Sequence, residues 1–146
     1  MKGDRVPAAH HVARHCSPNQ LDRDEHNNPI GPTYEVFIPD GDGVSVTWLE
    51  FFGNAREKCL QEVQHIINRT RSVRASHRLA IISCDDITSA GASASPSRIL
   101  WIEHDPISGE PEVENLAHSL IIGLRAEDTT LMEELALACT LEPCKV

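Results

Sequence analysis

A stripe of apolar residues recurs at three- and four-residue spacing in the middle of the chain. Its members are Ala55, Cys59, Leu60, Val63, Ile66 and Ile67. This spacing places them on one face of a helix, so it predicts an amphipathic helix over Asn54–Arg69. Asn54 followed three residues later by Glu57 predicts a capping box at the start of that helix. A helix with one apolar face needs a second layer of structure to cover it.

Short runs rich in β-branched and aromatic residues predict a sheet as that second layer. Tyr34–Ile38 and Val44–Leu49 flank the turn sequence Pro-Asp-Gly-Asp-Gly and predict a β-hairpin near the N-terminal end of the domain. Further strands are predicted at Leu79–Cys84, Arg98–Glu103 and Ala117–Leu124.

Two other segments complete the expected order of elements. Asp86–Ser97 is small and polar and predicts a flexible loop, whereas the spacing of Leu131, Leu135 and Ala138 predicts a final helix from about Asp128 to Cys139. The elements then run β-β-α-β-β-β-α. This order predicts an α+β fold with a single mixed or antiparallel sheet covered by two helices.

The chain has 146 residues, about the length of one domain. Residues 1–33 contain four prolines and no sustained period, so we expect an irregular N-terminal segment that either packs over the core or is partly mobile, ahead of one globular domain over residues 34–146. Apolar runs are only a few residues long, whereas a membrane span needs about 20. Residues 1–9 also lack the apolar core of a secretory signal, and we therefore expect a cytoplasmic protein.

Charge is unevenly distributed along the sequence. The formal net charge is −9, and residues 103–146 contribute −8 of it, from ten acidic residues against Arg125 and Lys145. Such acidity argues against non-specific nucleic-acid binding, because a duplex repels a net anion. The first interpretation is an accessory or interaction protein whose partner is another protein. It would act through the acidic C-terminal region and a basic patch suited to a phosphate or an acidic partner: Arg69, Arg71, Arg74 and Arg78.

The second interpretation is a small enzyme with a cysteine nucleophile. His10–Cys16 concentrates three histidines, an arginine and a thiol, and a nucleophilic thiolate needs neighbouring cations or an imidazole to lower its pKa. Cys16 is the candidate nucleophile, and its base would be His118 or His11. Glu50, at the end of a predicted strand, would orient that imidazole.

The third interpretation is a zinc-binding module formed by the same cluster. If Ala8–His15 forms helical turns, the i,i+4 pair His11 and His15 projects from one face, and Cys16 adds a soft ligand. A second ligand pair is missing from the sequence, since no C-x-x-C motif is present among the five cysteines. Apart from zinc in this interpretation, the sequence indicates no cofactor.

The motifs His11-Val-Ala-Arg-His-Cys16, Tyr34-Glu-Val-Phe37 and Ser45-Val-Thr-Trp-Leu-Glu50 resemble those of an uncharacterised family of small bacterial proteins. That family has an H-V-A-R-H-C opening, a W-L-E strand, and a late segment in which a histidine precedes a hydrophobic-Gly run, here His118–Gly123. The chain departs from the family by lacking the D-P-S-H run of the late segment. The resemblance implies a bacterial cytoplasmic protein and directs attention to Cys16, Trp48, Glu50 and His118, but it implies no reaction.

Overall fold

The computed structural model describes residues 1–108 and 114–145. In these residues the fold is α+β, as the sequence predicts, with a six-stranded antiparallel sheet and a separate two-stranded ribbon. The helices are α1 (Arg56–Asn68), α2 (Cys84–Ser93) and α3 (Thr129–Ala138). The strands are β1 (His11–Cys16), β2 (Leu21–Arg23), β3 (Pro29–Pro32), β4 (Val44–Trp48), β5 (Arg78–Ser83), β6 (Trp101–His104), β7 (His118–Ile122) and β8 (Thr140–Pro143). The order of the large sheet is β6-β7-β4-β1-β5-β8, and β2 pairs with β3 in the ribbon.

Strand β1 lies inside the sheet, which corrects two expectations for residues 1–33. His11–Cys16 forms neither helical turns nor an irregular segment, since it pairs with β5 over six residues and with β4 at Val12 and Ala13. Its apolar residues do not alternate with polar ones, because both faces of a central strand are covered. Val12 and Cys16 pack into one core, and Ala13 packs into the core on the opposite face.

The helices cover the two faces of the sheet. Cys59 and Val63 of α1 pack with Leu79 and Ile81 of β5 on one face. On the other face, α2 and α3 bury residues such as Ile87 and Leu135 in the larger core. Each large apolar side chain buried in this way stabilises the fold by about 1.5–3 kcal/mol. No helix in the described ranges is long and apolar enough to cross a membrane.

Both predicted helices are present, but α1 begins without the predicted capping box. Its N-cap is Ala55, and no side chain caps the first turn. The start is one residue later than the capping box requires, so Glu57 stands at the second helical position and cannot reach back to the backbone of Asn54. Glu57 forms an exposed ion pair with Lys145 instead.

Most of the predicted Asp86–Ser97 loop belongs to a third helix, α2. The hydroxyl of Ser83 accepts a hydrogen bond from the backbone N–H of Asp86 at 3.0 Å and caps the first turn. Asp85 and Asp86 lie in that turn, where carboxylates interact favourably with the helix dipole. A good N-terminal cap therefore compensates for the small, polar composition of this segment.

Residues 21–38 also differ from the expected pattern. The Asp22–Pro32 region, whose composition is typical of a loop, forms the β2–β3 ribbon. Tyr34–Phe37 forms a 3-10 helix instead of the first strand of the predicted hairpin, and it buries Val36 and Phe37 in the core. The turn that follows is closed by an antiparallel bridge between Asp40 and Gly43, immediately before β4.

Gly91 of α2 lies against the segment that precedes β6. A Cβ atom at this position would come within 2.7 Å of Leu100 Cγ and 2.8 Å of the Arg98 carbonyl oxygen. We expect Gly91→Ala to lower the free energy of unfolding by about 1–3 kcal/mol, although alanine is the better helix former. Urea denaturation measures this change. The matched control is Gly31→Ala, whose nearest neighbour would be 3.8 Å away. An unchanged or raised midpoint for Gly91→Ala would contradict this packing.

Candidate functional site

Cys16 lies in the larger core with no solvent exposure. Its Sγ donates a hydrogen bond to the carbonyl oxygen of Arg14 at 3.6 Å. Burial raises the pKa of the Cys16 thiol to about 11, and the opposing effect of the Arg14 cation does not offset it. A nucleophilic cysteine requires the reverse, an accessible thiol with a lowered pKa.

Glu50 is paired with His11. One carboxylate oxygen accepts the backbone N–H of His11 at 2.6 Å, and the other lies 2.6 Å from His11 Nδ1. Burial acts to raise the pKa of Glu50, but the hydrogen bonds from the His11 ring and backbone outweigh it and hold the pKa below its ordinary value. Glu50 therefore orients the His11 imidazole, one of the two bases considered from the sequence.

His118 is oriented by a different carboxylate. Its Nδ1 lies 2.8 Å from the carbonyl oxygen of Asp105 and 3.3 Å from the Asp105 carboxylate. In the sheet, His118 of β7 is opposite Thr47 of β4. The structure thus brings Glu50 to His11, gives His118 another partner, and buries Cys16 in the core.

The zinc interpretation assumed that His11 and His15 lie on one helical turn. In strand β1 these residues are separated by about 13 Å along the chain direction, because a strand rises about 3.3 Å per residue. Cys16 points to the opposite face from His15, whose Nε2 lies 2.9 Å from Nδ1 of His77. Within residues 1–108 and 114–145, no three His, Cys, Asp or Glu side chains are placed to hold a metal ion.

The four arginines of the basic patch occupy different environments. Arg69 donates a hydrogen bond to the carbonyl oxygen of Glu114, and Arg78 donates to the carbonyl oxygens of Ala75 and His77. Arg74 is exposed. Arg71, also exposed, lines a cavity of about 290 Å³ between the end of α1 and the sheet.

We call this cavity the basic cleft. Its polar and cationic lining consists of Arg14, His15, Ser45, Thr47, Thr70, Arg71, Asn115 and His118. Apolar walls come from the end of α1 and from the segment before β7: Ile66, Ile67 and Ile107. No Asp or Glu of the described residues lines it.

The cleft opens where β1 and β4 stop pairing. Their register ends at Ala13 and Thr47, so the next residue of β1, Arg14, follows the last paired position. The Arg14 guanidinium donates from Nε to the carbonyl oxygen of Val36 at 3.0 Å and from Nη1 to that of Ser45 at 2.9 Å. An arginine has five N–H donors, so others remain for a ligand.

Electrostatic repulsion among cations is built into the cleft. Burial, followed by the Arg71 and His77 charges and then by Arg14, lowers the pKa of His15 to about 4. Burial and the Arg71 charge also lower the pKa of Arg14, against a smaller opposing effect of Cys16. The neighbouring cations therefore disfavour further positive charge here, and a bound anion would relieve that repulsion.

Hydroxyl and amide groups complete the lining of the basic cleft. Asn115 Nδ2 donates a hydrogen bond to Thr47 Oγ1 at 3.3 Å, and Thr47 is buried. A mixture of guanidinium, imidazole and neutral donors is suited to phosphate or carboxylate oxygens. Sequence reasoning found Arg71, His15 and His118, but it missed Arg14, Thr47 and Asn115 as members of this site. Arg14 inside a buried strand is the one signal that could have indicated a polar cavity in the sheet.

Comparison with protein-family models, curated proteins and solved structures finds no significant match to this chain. The resemblance in short motifs to a bacterial family therefore stays a hypothesis.

Chemical labelling tests the accessibility of Cys16. A rise in thiol pKa from 9.0 to about 11 lowers the thiolate fraction near neutral pH about a hundredfold. We expect iodoacetamide to label Cys16 at pH 7 at least about a hundred times more slowly in the native protein than in urea. Mass spectrometry resolves the rate for each cysteine. Faster labelling of native Cys16 than of the unfolded chain would contradict a buried thiol of raised pKa and restore the enzyme interpretation.

The Glu50–His11 pair predicts a pH-dependent contribution to stability. Glu50→Gln should lower the free energy of unfolding at pH 7 by about 1–2 kcal/mol, because it removes a charged hydrogen-bond acceptor. The folded-state pKa of Glu50 lies below its unfolded value. The stabilisation is therefore present above the unfolded pKa, about 4.3, and disappears as pH falls through the lower, folded value.

Urea denaturation at several pH values measures this difference. The deficit of Glu50→Gln should shrink as the pH falls below about 4. Glu25→Gln is the control, since the Glu25 side chain is 86% exposed. A deficit that stays constant down to the lowest pH, or one matched by Glu25→Gln, would show that the charge of Glu50 has no such role.

Proposed function

We propose that the protein is a bacterial cytoplasmic accessory protein that binds an anionic group, such as a phosphate or carboxylate of a ligand or partner, in the basic cleft. The observation that carries this proposal is the lining of the cleft. Arg14, Arg71, His15 and His118 converge there without a lining carboxylate from the described residues, although the whole chain has a net charge of −9. The two guanidinium groups, Arg14 and Arg71, form a local positive charge in an acidic protein, which favours a specific anionic ligand over general attraction to polyanions.

Charged and neutral side chains of the cleft would contribute to binding in different ways. Exposed Arg71 would meet the anion directly, and half-buried Arg14, whose guanidinium spans the gap between β1 and β4, would add positive potential from within the sheet, where lower solvent screening strengthens the interaction. Thr70, Thr47 and Asn115 would supply neutral hydrogen bonds. The carboxylate of Asp105 would interact with Nδ1 of His118 and so orient the imidazole. The other ring nitrogen of His118, Nε2, would then be free to bind the ligand.

The other two interpretations have less support. Cys16 has a raised pKa and no access to solvent, which weighs against a cysteine nucleophile. The strand geometry of His11 and His15 weighs against zinc. The five free thiols favour the reducing environment of a cytoplasm, the location that the short sequence motifs also imply.

Titration with inorganic phosphate at constant ionic strength tests the proposal. Chemical shifts of the backbone amides should report saturable binding, with the largest changes at residues 14–15, 70–71 and 115–118. We expect Arg71→Gln to weaken binding about tenfold, because it removes a charged hydrogen-bond donor to the anion.

Arg74→Gln is the matched control. It removes the same charge from the same connecting segment, but Arg74 does not line the cleft. We expect its affinity to stay within about twofold of the unaltered protein, in keeping with the small effect of an exposed charge. Equal weakening by both substitutions would indicate general charge attraction and overturn the proposal. Absence of saturable phosphate binding would also overturn it.

A further inference from the structure

A second surface lies on the opposite side of the sheet from the basic cleft. It is an open groove of about 480 Å³ between the β2–β3 ribbon and α3. Its apolar lining includes Ile30, Pro32, Tyr34, Ala136 and Leu137. We call it the ribbon groove.

Two large apolar side chains of the ribbon groove are exposed to water. Ile30 on β3 is 62% exposed, and Leu137 on α3 is 79% exposed. Exposure of one aliphatic side chain is common, but two that line the same concave surface leave an apolar patch without cover. A partner that buries both would gain hydrophobic stabilisation in proportion to the area covered.

The edge of the ribbon groove is acidic. Asp22 lies on β2, Glu35 follows β3, and Glu133 lies on α3, and all three line the groove. Glu133 and Leu137 are four residues apart on α3, so they share one helix face. No Lys or Arg of the described residues lines the groove. An apolar centre with a charged rim is the usual arrangement of a protein-binding surface.

We infer that the ribbon groove binds a basic amphipathic helix of another protein. Aliphatic side chains of that helix would cover Ile30 and Leu137, and flanking Lys or Arg residues would pair with the three acids at the rim. A helix fits better than an added strand, because β3 begins and ends with proline and prolines donate no backbone hydrogen bond to a neighbouring strand. The acidic C-terminal region, with a charge of −8 over residues 103–146, would add long-range attraction for a basic partner.

The inference is independent of anion binding in the basic cleft. The cleft is lined by α1, which covers one face of the sheet, whereas the groove is lined by α3, which covers the other. Each site therefore has substitutions that should leave the other unchanged.

Two synthetic peptides of about 14 residues test the inference. Both carry leucines at helical spacing, and the remaining positions are lysine in one peptide and glutamate in the other. We expect the Leu–Lys peptide to bind saturably and the Leu–Glu peptide to bind at least about tenfold more weakly, because its charges face the acidic rim. Fluorescence anisotropy with the full chain measures both affinities.

Leu137→Ser and Ile30→Ser should each weaken binding of the Leu–Lys peptide about tenfold, the loss expected when one aliphatic contact is removed from an interface. The matched control is Ile99→Ser, since Ile99 is 81% exposed but does not line the groove. Its affinity should stay within about twofold of the unaltered protein, as should that of Arg71→Gln. Because Ile30 and Leu137 are exposed, serine at either position should leave the folded state intact, as circular dichroism would verify.

Three results would overturn the inference. The first is no saturable binding of the Leu–Lys peptide, or binding equally weakened by Ile99→Ser. The second is equal affinity for the two peptides, which would show that the acidic rim does not select charge. The third is a dimer in analytical ultracentrifugation that Leu137→Ser dissociates, because a second copy of the chain would then cover the groove.

Discussion

The backbone pairing of His11–Cys16 is the interaction on which the rest of the structure depends. Six residues of β1 pair with β5, and two pair with β4, so this short segment joins the two halves of the sheet. Alternate side chains enter the two cores, with Val12 and Cys16 on one face and Ala13 on the other. The basic cleft follows from the unequal pairing, because the strands separate after Ala13 while Arg14 spans the gap to Ser45 and Val36.

Two cavities on opposite faces of the sheet differ in the charge of their lining. The α1 face carries the basic cleft, and the α3 face carries the acidic rim of the ribbon groove. Under the two proposals, an anionic ligand and a basic partner would bind the same molecule at separate surfaces.

Local sequence pattern was sufficient to predict the helices and strands whose apolar residues recur at a regular helical or strand spacing. The α1 stripe, the β4 and β5 runs, and the apolar face of α3 all lie where the sequence indicates, within a few residues. Pattern failed where tertiary context decides the conformation. Strand β1 is rich in histidine and arginine and buries both faces, so it shows no alternation. Helix α2 has the composition of a loop. Ser83 followed three residues later by Asp86 is nevertheless a capping signal, and it could have predicted the start of this helix.

In the candidate site, too, the sequence indicates single residues but not how the fold brings them together. Arg71, His15 and His118 stand out in the sequence as charged or titratable residues in unusual settings, and the structure places all three in the basic cleft. Their grouping could not be predicted, because it depends on β7 lying beside β4 and on the point at which β1 and β4 separate. Cys16, the most conspicuous candidate by its neighbours in sequence, points into the core because successive residues of a strand face opposite sides.

The most direct test of the central claim is a crystal structure of the protein soaked with selenate, whose anomalous signal locates the anion. If the basic cleft binds anions, one strong peak should lie there, within hydrogen-bonding distance of Arg71 and of Arg14 or His118. Ordered selenate elsewhere on the protein, with none in the cleft at a concentration that saturates the other sites, would contradict this claim. The cavity would then be an incidental consequence of the strand separation.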